Sequence, residues 1–540
     1  MKICIINTGG TISSVGDPLG PMTSAQFATA SEAILEPILN AVFPNTEIDY
    51  DTTLTFPESA SGVLDSTNLQ PSDWVLIAQT VLDNYAAYDG FVILHGTDSL
   101  AFTGAALPLL LNVFDDQGFG QAVLSKPVII TGSQVPMYYQ PSDAVDIDGN
   151  LDPTKLILNF NTDAYQNFCG AVACARLGIP EVGVYFDSYL LRGNRVLKIN
   201  ASEFRAFDSP NYPELAEYGL DLTYYPERML PGPVNSDVSL STDTVRDQAV
   251  TQLNAISGTI NNFPAMQFNA FPAPYTVDNE AGTALIGDLI DAAVGTGITG
   301  LILESYGEGN FPSGNPDTPA SGVIYQALDR ANSGNVVIVD CTQVIAGTVN
   351  NSAYASGAWL PNVGALNGAD MTPMTGLAKA IILQAAASSN GWSADDVKRL
   401  IMLNLFGEVM NVSRLDSREN DRLMPGQSIM ALDGSATLIN DSLYGPLLQT
   451  SDGVNLWSPF TSPEDNGQPG RLVMQNDGNL VLYDNDNTAI WTSGTAASKV
   501  VGTPSALMIS GSYAAGDLTM TIYDYLNKAV LWTLYSQSTA

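Results

Sequence analysis

Short apolar runs alternate with longer amphipathic stretches in the N-terminal part of the chain. The runs FVIL at 91–94, PVII at 127–130 and VGVYF at 182–186 have the length and composition of buried strands. The stretches 73–88 and 98–113 have the length and spacing of helices. This alternation predicts an α/β domain over residues 1–205, with a parallel or mixed sheet flanked by helices.

A segment rich in Pro, Asn, Tyr and Ser interrupts the alternation at 206–250, and we interpret it as a connector. Strand-like runs at 301–303 and 336–339 and a helical pattern at 374–387 follow it. We therefore predict a second, smaller α/β domain over 251–410.

The pattern changes again after a polar, charged segment at 411–423, which we interpret as a linker. Short β-type runs separated by Asp-Gly, Asn-Asp and Gly-Ser turns follow, and Trp457, Trp491 and Trp532 recur at intervals of 34 and 41 residues. A recurring aromatic residue with turns between short strands predicts a three-part all-β domain over 424–540.

The charge of the chain excludes some partners. The 56 acidic residues outnumber 20 Lys and Arg, and a net charge of -36 repels nucleic acid and anionic lipid. No apolar run approaches the roughly 18 residues of a membrane span. The N-terminus reads as a strand rather than a secretion signal, so we expect a cytoplasmic protein if residues 1–540 are the complete product.

The cysteines and the single histidine limit the chemistry further. Cys4, Cys169, Cys174 and Cys341 are widely scattered without metal-ligand spacing, and we predict buried free thiols rather than a disulfide or a catalytic thiol. With His95 as the only histidine, a Ser-His-Asp triad would require His95 itself as the base. We expect neither a metal nor a cofactor.

Three turn segments carry hydroxyl, carboxylate and amine groups. TGGTI at 8–12 and HGTDS at 95–99 each follow a predicted strand, at the edge where open α/β sheets bind ligands. LRGNRVLK at 191–198 supplies Lys198 in a chain poor in lysine. Each segment alone also has a structural explanation, as a turn, a helix cap or a surface lysine; their combination favours a catalytic site.

Together these segments resemble the bacterial-type L-asparaginase family, especially its cytoplasmic type I branch, over about 400 residues. The resemblance implies the two-domain asparaginase fold and a homo-oligomer, a dimer or tetramer. Seven ordered motifs carry it: TGGTI at 8–12, DST at 65–67, GFVILHGTDS at 90–99, KPVIITGSQVP at 126–136, LLRGNRVLK at 190–198, SYGEGN at 305–310 and GADMT at 368–372.

The resemblance also implies residue roles. Thr11 would be the nucleophile that forms an acyl-enzyme, and the proton relay would consist of Thr97, Asp98 and Lys198. The substrate's ammonium and carboxylate would be bound by Asp65, Ser66, Thr67, Thr97 and Asp98. Chemistry supports the relay, because a threonine hydroxyl needs a nearby base and a lysine kept near neutral by burial could serve.

Backbone N–H groups near Gly10 and Thr97 would stabilise the oxyanion. His95 is interpreted as a structural part of its turn.

The chain departs from the family at several positions. The loop 13–22 lacks the lid tyrosine that many relatives carry, which favours reduced turnover. Glu304 and Val344 stand where some type I enzymes use Arg and Cys for a regulatory asparagine site, so we expect no such regulation. An insertion near 145–155 has no assigned role.

The segment 475–483 matches the pattern QxDxNxVxY, and we expect its five pattern residues to share one face of a strand. It resembles the mannose-binding site of bulb-type lectins, which implies a β-prism fold; persistence of the motif as scaffolding without binding is the alternative. The neighbouring repeats are degenerate, which leaves one site. The five residues are Gln475, Asp477, Asn479, Val481 and Tyr483.

The leading hypothesis is therefore an L-asparagine amidohydrolase with an appended mannose-type glycan-binding module. The alternative is a carbohydrate-binding or interaction protein whose asparaginase part is a catalytically silent scaffold. A third possibility is glutamine or a short amide peptide as the main substrate, with the same mechanism.

Overall fold

The computed structural model divides the chain into two compact units. Unit 1 comprises Met1–Gly232, Ser236–Ile401 and Leu405–Glu408, and unit 2 comprises Pro233–Asn235, Met402–Asn404 and Val409–Ala540. The residues that the structure describes are 1–114, 123–230, 232–233, 236–277, 282–351, 354–409, 414–417, 422–431, 435–462, 468–475, 477–498, 505–524 and 529–537.

The N-terminal part of unit 1 alternates strands and helices, as predicted. Its helices are α1 Ser24–Ile34, α2 Glu36–Val42, α3 Pro71–Asn84, α4 Leu100–Leu110 and α5 Ala164–Ala175. Its strands are β1 Lys2–Asn7, β2 Ser14–Val15, β3 Gly20–Pro21, β4 Glu47–Asp51, β5 Gly90–Leu94, β6 Val128–Thr131, β7 Tyr138–Tyr139, β8 Ile157–Leu158, β9 Val182–Phe186, β10 Tyr189–Arg192, β11 Leu197–Lys198, β12 Phe207–Asp208, β13 Ala216–Tyr218 and β14 Leu222–Tyr224.

Eight of these strands form one mixed sheet in the order β14-β13-β10-β9-β6-β5-β1-β4. The five strands from β9 to β4 are parallel, and β10, β13 and β14 join as antiparallel strands. The parallel strands β5 and β9 are buried along their whole length, which explains their continuous apolar runs. The prediction of a parallel or mixed sheet flanked by helices is confirmed as a mixed sheet.

Helix α4 packs against the segment that precedes Lys198. Ten of its eleven residues are buried, so its sequence lacks a polar face. A side chain on Gly104 would come within 2.6 Å of the Gly193 carbonyl oxygen, so glycine permits the close packing of α4 against the turn 193–195.

The connector predicted at 206–250 contains regular structure in its described residues. Strands β12 to β14 and the start of a helix, α6 Asp243–Ser257, lie within it. Strands β13 and β14 form an antiparallel pair at the edge of the large sheet. These strands have only two or three residues each, too few to produce a recognisable alternation.

The second half of unit 1 is built on a four-stranded parallel sheet in the order β15-β16-β17-β18. The predicted strands at 301–303 and 336–339 and the helix at 374–387 are confirmed within longer elements. The elements are β15 Ala265–Asn269, β16 Gly300–Ser305, β17 Val337–Thr342, β18 Ala365–Asn367, α7 Leu285–Gly295, α8 Val323–Ser333, α9 Pro373–Asn390 and α10 Ala394–Met402.

Unit 2 contains three four-stranded antiparallel sheets, in the orders β21-β22-β23-β24, β20-β25-β26-β27 and β19-β28-β29-β30. This confirms the prediction of a three-part all-β region. The strands are β19 Arg414–Asp416, β20 Arg422–Leu423, β21 Ser428–Met430, β22 Ala436–Asp441, β23 Gly445–Thr450, β24 Asn455–Trp457, β25 Pro469–Met474, β26 Leu480–Asp484, β27 Ala489–Thr492, β28 Ser505–Ser510, β29 Thr519–Asp524 and β30 Ala529–Ser536.

The recurring tryptophans lie on the last strand of each sheet and contact one another. The ring centroids of Trp457 and Trp491 are 6.0 Å apart, and those of Trp491 and Trp532 are 6.4 Å apart. The recurrence therefore reflects a shared aromatic cluster, which stabilises the three-part arrangement.

The polar segment predicted as a linker at 411–423 contributes strands to unit 2. Strand β19 pairs with β28, and β20 pairs with β25. Residues 410–413 and 418–421 lie outside the described residues. The polar sequence hid these strands because their partners are far away in the chain.

Two further predictions concern the state of the cysteines and membrane-spanning helices. All four cysteines are free thiols, buried except for the half-buried Cys169, in agreement with the sequence. Among the described residues, no helix combines the length and apolarity that crossing a bilayer requires.

Candidate active site

Three turns of unit 1 meet at the carboxyl edge of the large sheet. Strands β1 and β5 are parallel neighbours, so the turns that follow them lie side by side. A side chain on Gly10 would come within 2.3 Å of the Gly96 Cα atom, and one on Gly96 within 2.4 Å of the Ser66 Oγ atom. The two glycines therefore allow direct backbone packing of the segments that carry Thr11, Ser66 and Thr97.

Lys198 joins two of the predicted relay residues. Its Nζ atom donates hydrogen bonds to Thr97 Oγ1 at 2.9 Å and to Asp98 Oδ1 at 2.7 Å. The Lys198 side chain is 24% exposed and that of Asp98 is 54% exposed, while Thr97 is buried. Solvent screens the ion pair at this exposure, so its main effect is orientation of the amine toward the Thr97 hydroxyl.

Thr11 begins a short 3₁₀ turn, Thr11–Ser13, and is half-buried. Its hydroxyl has no hydrogen-bond partner among the described residues, whereas neighbouring Ser14 donates to the Gly10 carbonyl at 2.8 Å. Thr11 is thus the hydroxyl of this loop that is free to react. In the part of the chain that the structure describes, no hydrogen bond joins Thr11 directly to Thr97, Asp98 or Lys198.

Of the backbone N–H groups near Gly10 that could stabilise the oxyanion, the N–H of Gly10 itself is not available. The Gly10 N–H donates to the Leu64 carbonyl at 3.1 Å and is therefore engaged within the fold. Within the described part of the chain, the N–H groups of Thr11 and Thr97 donate no hydrogen bond, and these two remain candidates.

The segment DST at 65–67 contains a carboxylate, Asp65, with one oxygen that is not hydrogen-bonded to the described residues. Asp65 Oδ1 accepts hydrogen bonds from the Thr67 N–H and hydroxyl, both at 3.1 Å, while Asp65 Oδ2 accepts none from the described residues. Ser66 is buried, and its carbonyl accepts a bond from Ser99 Oγ at 2.7 Å. This bond ties the 65–67 segment to the turn that carries Thr97.

His95 is a structural residue of its turn, as the sequence indicated. Its ring is fully buried, and Nδ1 lies 2.7 Å from the Gly96 carbonyl oxygen, so Nδ1 carries the proton and donates. Nε2 then accepts from the Thr103 hydroxyl at 2.9 Å. Burial lowers the pKa of His95 to about 4. A ring with both nitrogens engaged is poorly suited to act as the base.

Sequence reasoning missed a buried ion pair that anchors the segment before Lys198. The Arg195 side chain is 1% exposed, and its Nη1 atom lies 2.9 Å from Asp370 Oδ2. Arg195 Nε also donates to the Gly407 carbonyl at 2.7 Å. Both partners belong to quoted motifs, RGNR and GADMT, so the signal was present; what the motifs lacked was any indication that they meet.

The motif at 305–310 lies in the second half of unit 1, at the end of β16. Ser305 donates a short hydrogen bond to the buried carboxylate of Asp340, which also accepts from Asn351 at 2.7 Å. Burial raises the pKa of Asp340 to about 6. The neighbouring Glu304 is half-buried and accepts from Asn269 at 3.3 Å.

The motif at 475–483 is a hairpin and not the single strand that we expected. The described residues between β25 and β26 form a turn in which the Gln475 N–H bonds to the Asn479 carbonyl at 2.8 Å, and β26 begins at Leu480. The Asp-Gly dipeptide at 477–478 favours this turn. Val481 is buried, so it does not share an open face with the four polar residues.

Four polar residues of the motif nevertheless lie near one another. Gln475 Nε2 donates to Tyr483 Oη at 2.6 Å, and Asp477 accepts from the Asn479 N–H at 3.0 Å. The Asn479 amide oxygen accepts from Thr492 at 2.8 Å and from Ser493 at 2.9 Å.

The sequence profile of the family described as "Asparaginase, N-terminal" matches residues 2–147 and 157–229. The profile "Glutaminase/Asparaginase C-terminal domain" matches residues 283–401, and together the two cover more than half of the chain. This chain belongs to the asparaginase family. The unmatched residues 148–156 overlap the predicted insertion near 145–155.

Relatives of this asparaginase-family chain carry different names. "L-asparaginase 1" of Escherichia coli (strain K12) is 28% identical over 409 residues, which cover 76% of this chain and 98% of the relative. A "60 kDa lysophospholipase" of Mus musculus is 31% identical over 348 residues, or 64% of this chain. The chain spans only about half the length of that relative, 50%.

The crystal structure of L-asparaginase I from Vibrio cholerae has the same fold over the matched region. It superposes with a TM-score of 0.52 at 26% identity, covering 76% of this chain and 98% of that chain.

Proposed function

We propose that this chain hydrolyses the side-chain amide of L-asparagine to L-aspartate and ammonia. The observation that carries the proposal is the contact of Lys198 Nζ with both Thr97 and Asp98, beside a turn whose Thr11 hydroxyl has no partner among the described residues. The name of the Escherichia coli relative supports the choice of asparagine.

In the proposed mechanism, Thr11 Oγ1 attacks the amide carbon while its proton passes through the Thr97 hydroxyl to Lys198, which accepts it in its neutral amine form. Asp98 orients that amine. The proton then returns to the leaving ammonia, and water hydrolyses the resulting acyl-threonine ester along the same relay.

The substrate's charged groups are assigned to the 65–67 segment and to the turn that carries Thr97 and Asp98. Asp65 Oδ2 accepts from the α-ammonium, since it is the oxygen that Thr67 leaves open. Ser66, Thr67, Thr97 and Asp98 complete the binding of the ammonium and carboxylate. The N–H groups of Thr11 and Thr97 stabilise the oxyanion.

The test is ammonia release from L-asparagine and L-glutamine by the wild type, Thr11→Ala and Thr29→Ala. Thr29 is exposed on α1 and is a matched control for loss of a threonine hydroxyl. Release that disappears only in Thr11→Ala supports the proposal. No release from either amide by folded protein overturns it and favours the silent-scaffold alternative.

A second function is favoured by the hairpin at 475–483. We propose that Gln475, Asp477, Asn479 and Tyr483 bind a mannose-type glycan in a β-prism domain, with Val481 supporting the hairpin from the core. The supporting observation is the Gln475 bond to Tyr483, which brings an amide and a phenol together. Vicinal sugar hydroxyls are suited to such paired polar groups.

Titration of methyl α-mannoside by calorimetry tests this function in the wild type, Tyr483→Phe and Tyr444→Phe, the last an exposed tyrosine outside the motif. Binding lost only in Tyr483→Phe supports the glycan site, and no binding to the wild type overturns it. A homo-oligomeric state also remains a proposal.

A further inference from the structure

An open cavity of about 610 Å³ lies against the segment that carries Asp65. Its volume falls within the roughly 300–1,000 Å³ of typical ligand sites. The wall includes Asp65, but Thr11, Thr97 and Lys198 are not part of it. The cavity therefore adjoins the candidate active site on the side of the substrate's ammonium.

The chemistry of the wall favours a polar ligand that carries positive charge. Glu58 and Asp65 supply carboxylates, Ser61 supplies a hydroxyl, and Asn68 and Gln70 supply amides. None of the described residues that line the cavity is Lys, Arg or His. An anionic ligand would meet two carboxylates without a compensating charge, whereas an ammonium group would find acceptors.

Both carboxylates retain an open oxygen. Gln70 Nε2 donates to Glu58 Oε1 at 3.1 Å, and no bond from the described residues reaches Glu58 Oε2. Asp65 presents Oδ2 in the same way. Two acceptor positions are thus available, one at the candidate active site and one in the cavity.

We propose that this cavity is a substrate subsite for a residue attached to the α-amino group of asparagine, so that the chain acts on dipeptides with a C-terminal asparagine. The inference rests on the proposed function for the identity of the reaction. The peptide N–H of the asparagine donates to Asp65 Oδ2, and the free N-terminal ammonium of the preceding residue reaches Glu58. Free asparagine leaves the cavity empty.

The experiment compares ammonia release from Ala-Asn, N-acetyl-asparagine and L-asparagine by the wild type, Glu58→Gln and Glu32→Gln. Glu32 is an exposed glutamate of α1 outside the cavity and controls for loss of a charge. The proposal predicts that Ala-Asn is hydrolysed faster than N-acetyl-asparagine. Glu58→Gln should lower the ratio of kcat/KM for Ala-Asn to that for asparagine about fivefold, since an exposed ion pair contributes modestly.

Glu32→Gln should leave the ratio unchanged. Hydrolysis of asparagine but not of Ala-Asn, or a ratio that Glu58→Gln does not alter, overturns the subsite while leaving the proposed function intact. Calorimetric titration with Ala-Asp, the dipeptide product, separates the remaining case. Binding that Glu58→Gln weakens about fivefold supports the subsite even if no amide is hydrolysed, and absence of binding to folded wild type overturns it.

Discussion

The amine of Lys198 lies 2.9 Å from the hydroxyl oxygen of Thr97, although 101 positions separate the two residues in the chain. Lys198 lies on β11, directly after the turn 193–195. This turn packs against α4, and α4 begins just after the turn that carries Thr97. One helix therefore connects both ends of the proposed relay. This arrangement makes the relay sensitive to packing as well as to its own side chains.

Removing either relay group should abolish most turnover. We expect Lys198→Met and Thr97→Val each to lower kcat for asparagine by about 10²-fold to 10⁴-fold, the usual contribution of a positioned acid-base group. The double variant should lose little more than either single variant, because the two groups act as a unit. Lys155→Met, in the insertion, is the control. Multiplicative losses in the double variant would refute a shared relay.

Backbone packing at the glycine turns should be as important as the side chains. In Gly10→Ala the new Cβ atom would lie 2.3 Å from Gly96 Cα, so both turns must move apart. We expect kcat/KM to fall at least about 10²-fold, because small displacements in a reacting geometry have large effects. Steady-state ammonia release measures this change.

Gly149→Ala is a matched control for the glycine substitution. Gly149 has a φ of 85°, close to the 78° of Gly10, but a Cβ atom there would meet nothing within 4 Å. It should show the backbone strain of roughly 1–2 kcal/mol without loss of activity. Equal activity losses in the two variants would contradict a specific role for the contact between Gly10 and Gly96.

The sequence predicted elements that are long and buried, and missed those defined by distant partners. The run VGVYF coincides with β9, because a strand buried on both faces must be apolar throughout. Arg414–Asp416 is polar and was assigned to a linker, yet it forms a strand with a partner beginning at Ser505. Pairing over such a distance leaves no local pattern in the sequence.

The candidate site shows the same division. Resemblance supplied Thr97, Asp98 and Lys198, and the structure brings these three together. The pair of Arg195 and Asp370 was missed because 175 positions separate the partners. Either residue alone has the appearance of an ordinary surface charge until burial is known.

The buried imidazole of His95 should stay neutral well below its usual pKa. Since His95 is the only histidine, ¹³C labelling of histidine gives a single resonance whose titration belongs to this ring. With a pKa of about 4 in the folded state, the resonance should not shift between pH 8 and about 5.5. A titration midpoint near the ordinary pKa of about 6.5 would contradict a buried ring with both nitrogens hydrogen-bonded.

The same shift sets the sign of a pH effect on stability. Above the unfolded pKa of 6.5, His95 is neutral in both states and its contribution is fully present. As the pH falls from 6.5 toward 4, the unfolded chain binds a proton that the folded chain does not, so the free energy of unfolding decreases by about 3 kcal/mol. The His95→Gln variant should lack this component in urea unfolding measured across that range. Adding Gln343→His to that variant places a histidine outside the site, and it should not restore the component.

The ion pair between Lys379 and Glu408 should be strongly coupled, because both side chains are almost fully buried, at 0% and 2% exposure. Their atoms Nζ and Oε1 are 2.6 Å apart, and Glu408 also accepts from the N–H groups of Leu405 and Phe406. Lys379→Met leaves a buried carboxylate without its cation, and we expect it to lower the free energy of unfolding by about 3–5 kcal/mol. Glu408→Gln removes the charge while retaining an acceptor, so the double variant should be less destabilised than the sum of the single variants.

Urea unfolding measures these changes in the free energy of unfolding. The control is Arg330→Met, which breaks an exposed ion pair with Asp291 and should cost less than about 1 kcal/mol. Additive losses at Lys379 and Glu408 would mean that the pair contributes no more than two independent side chains.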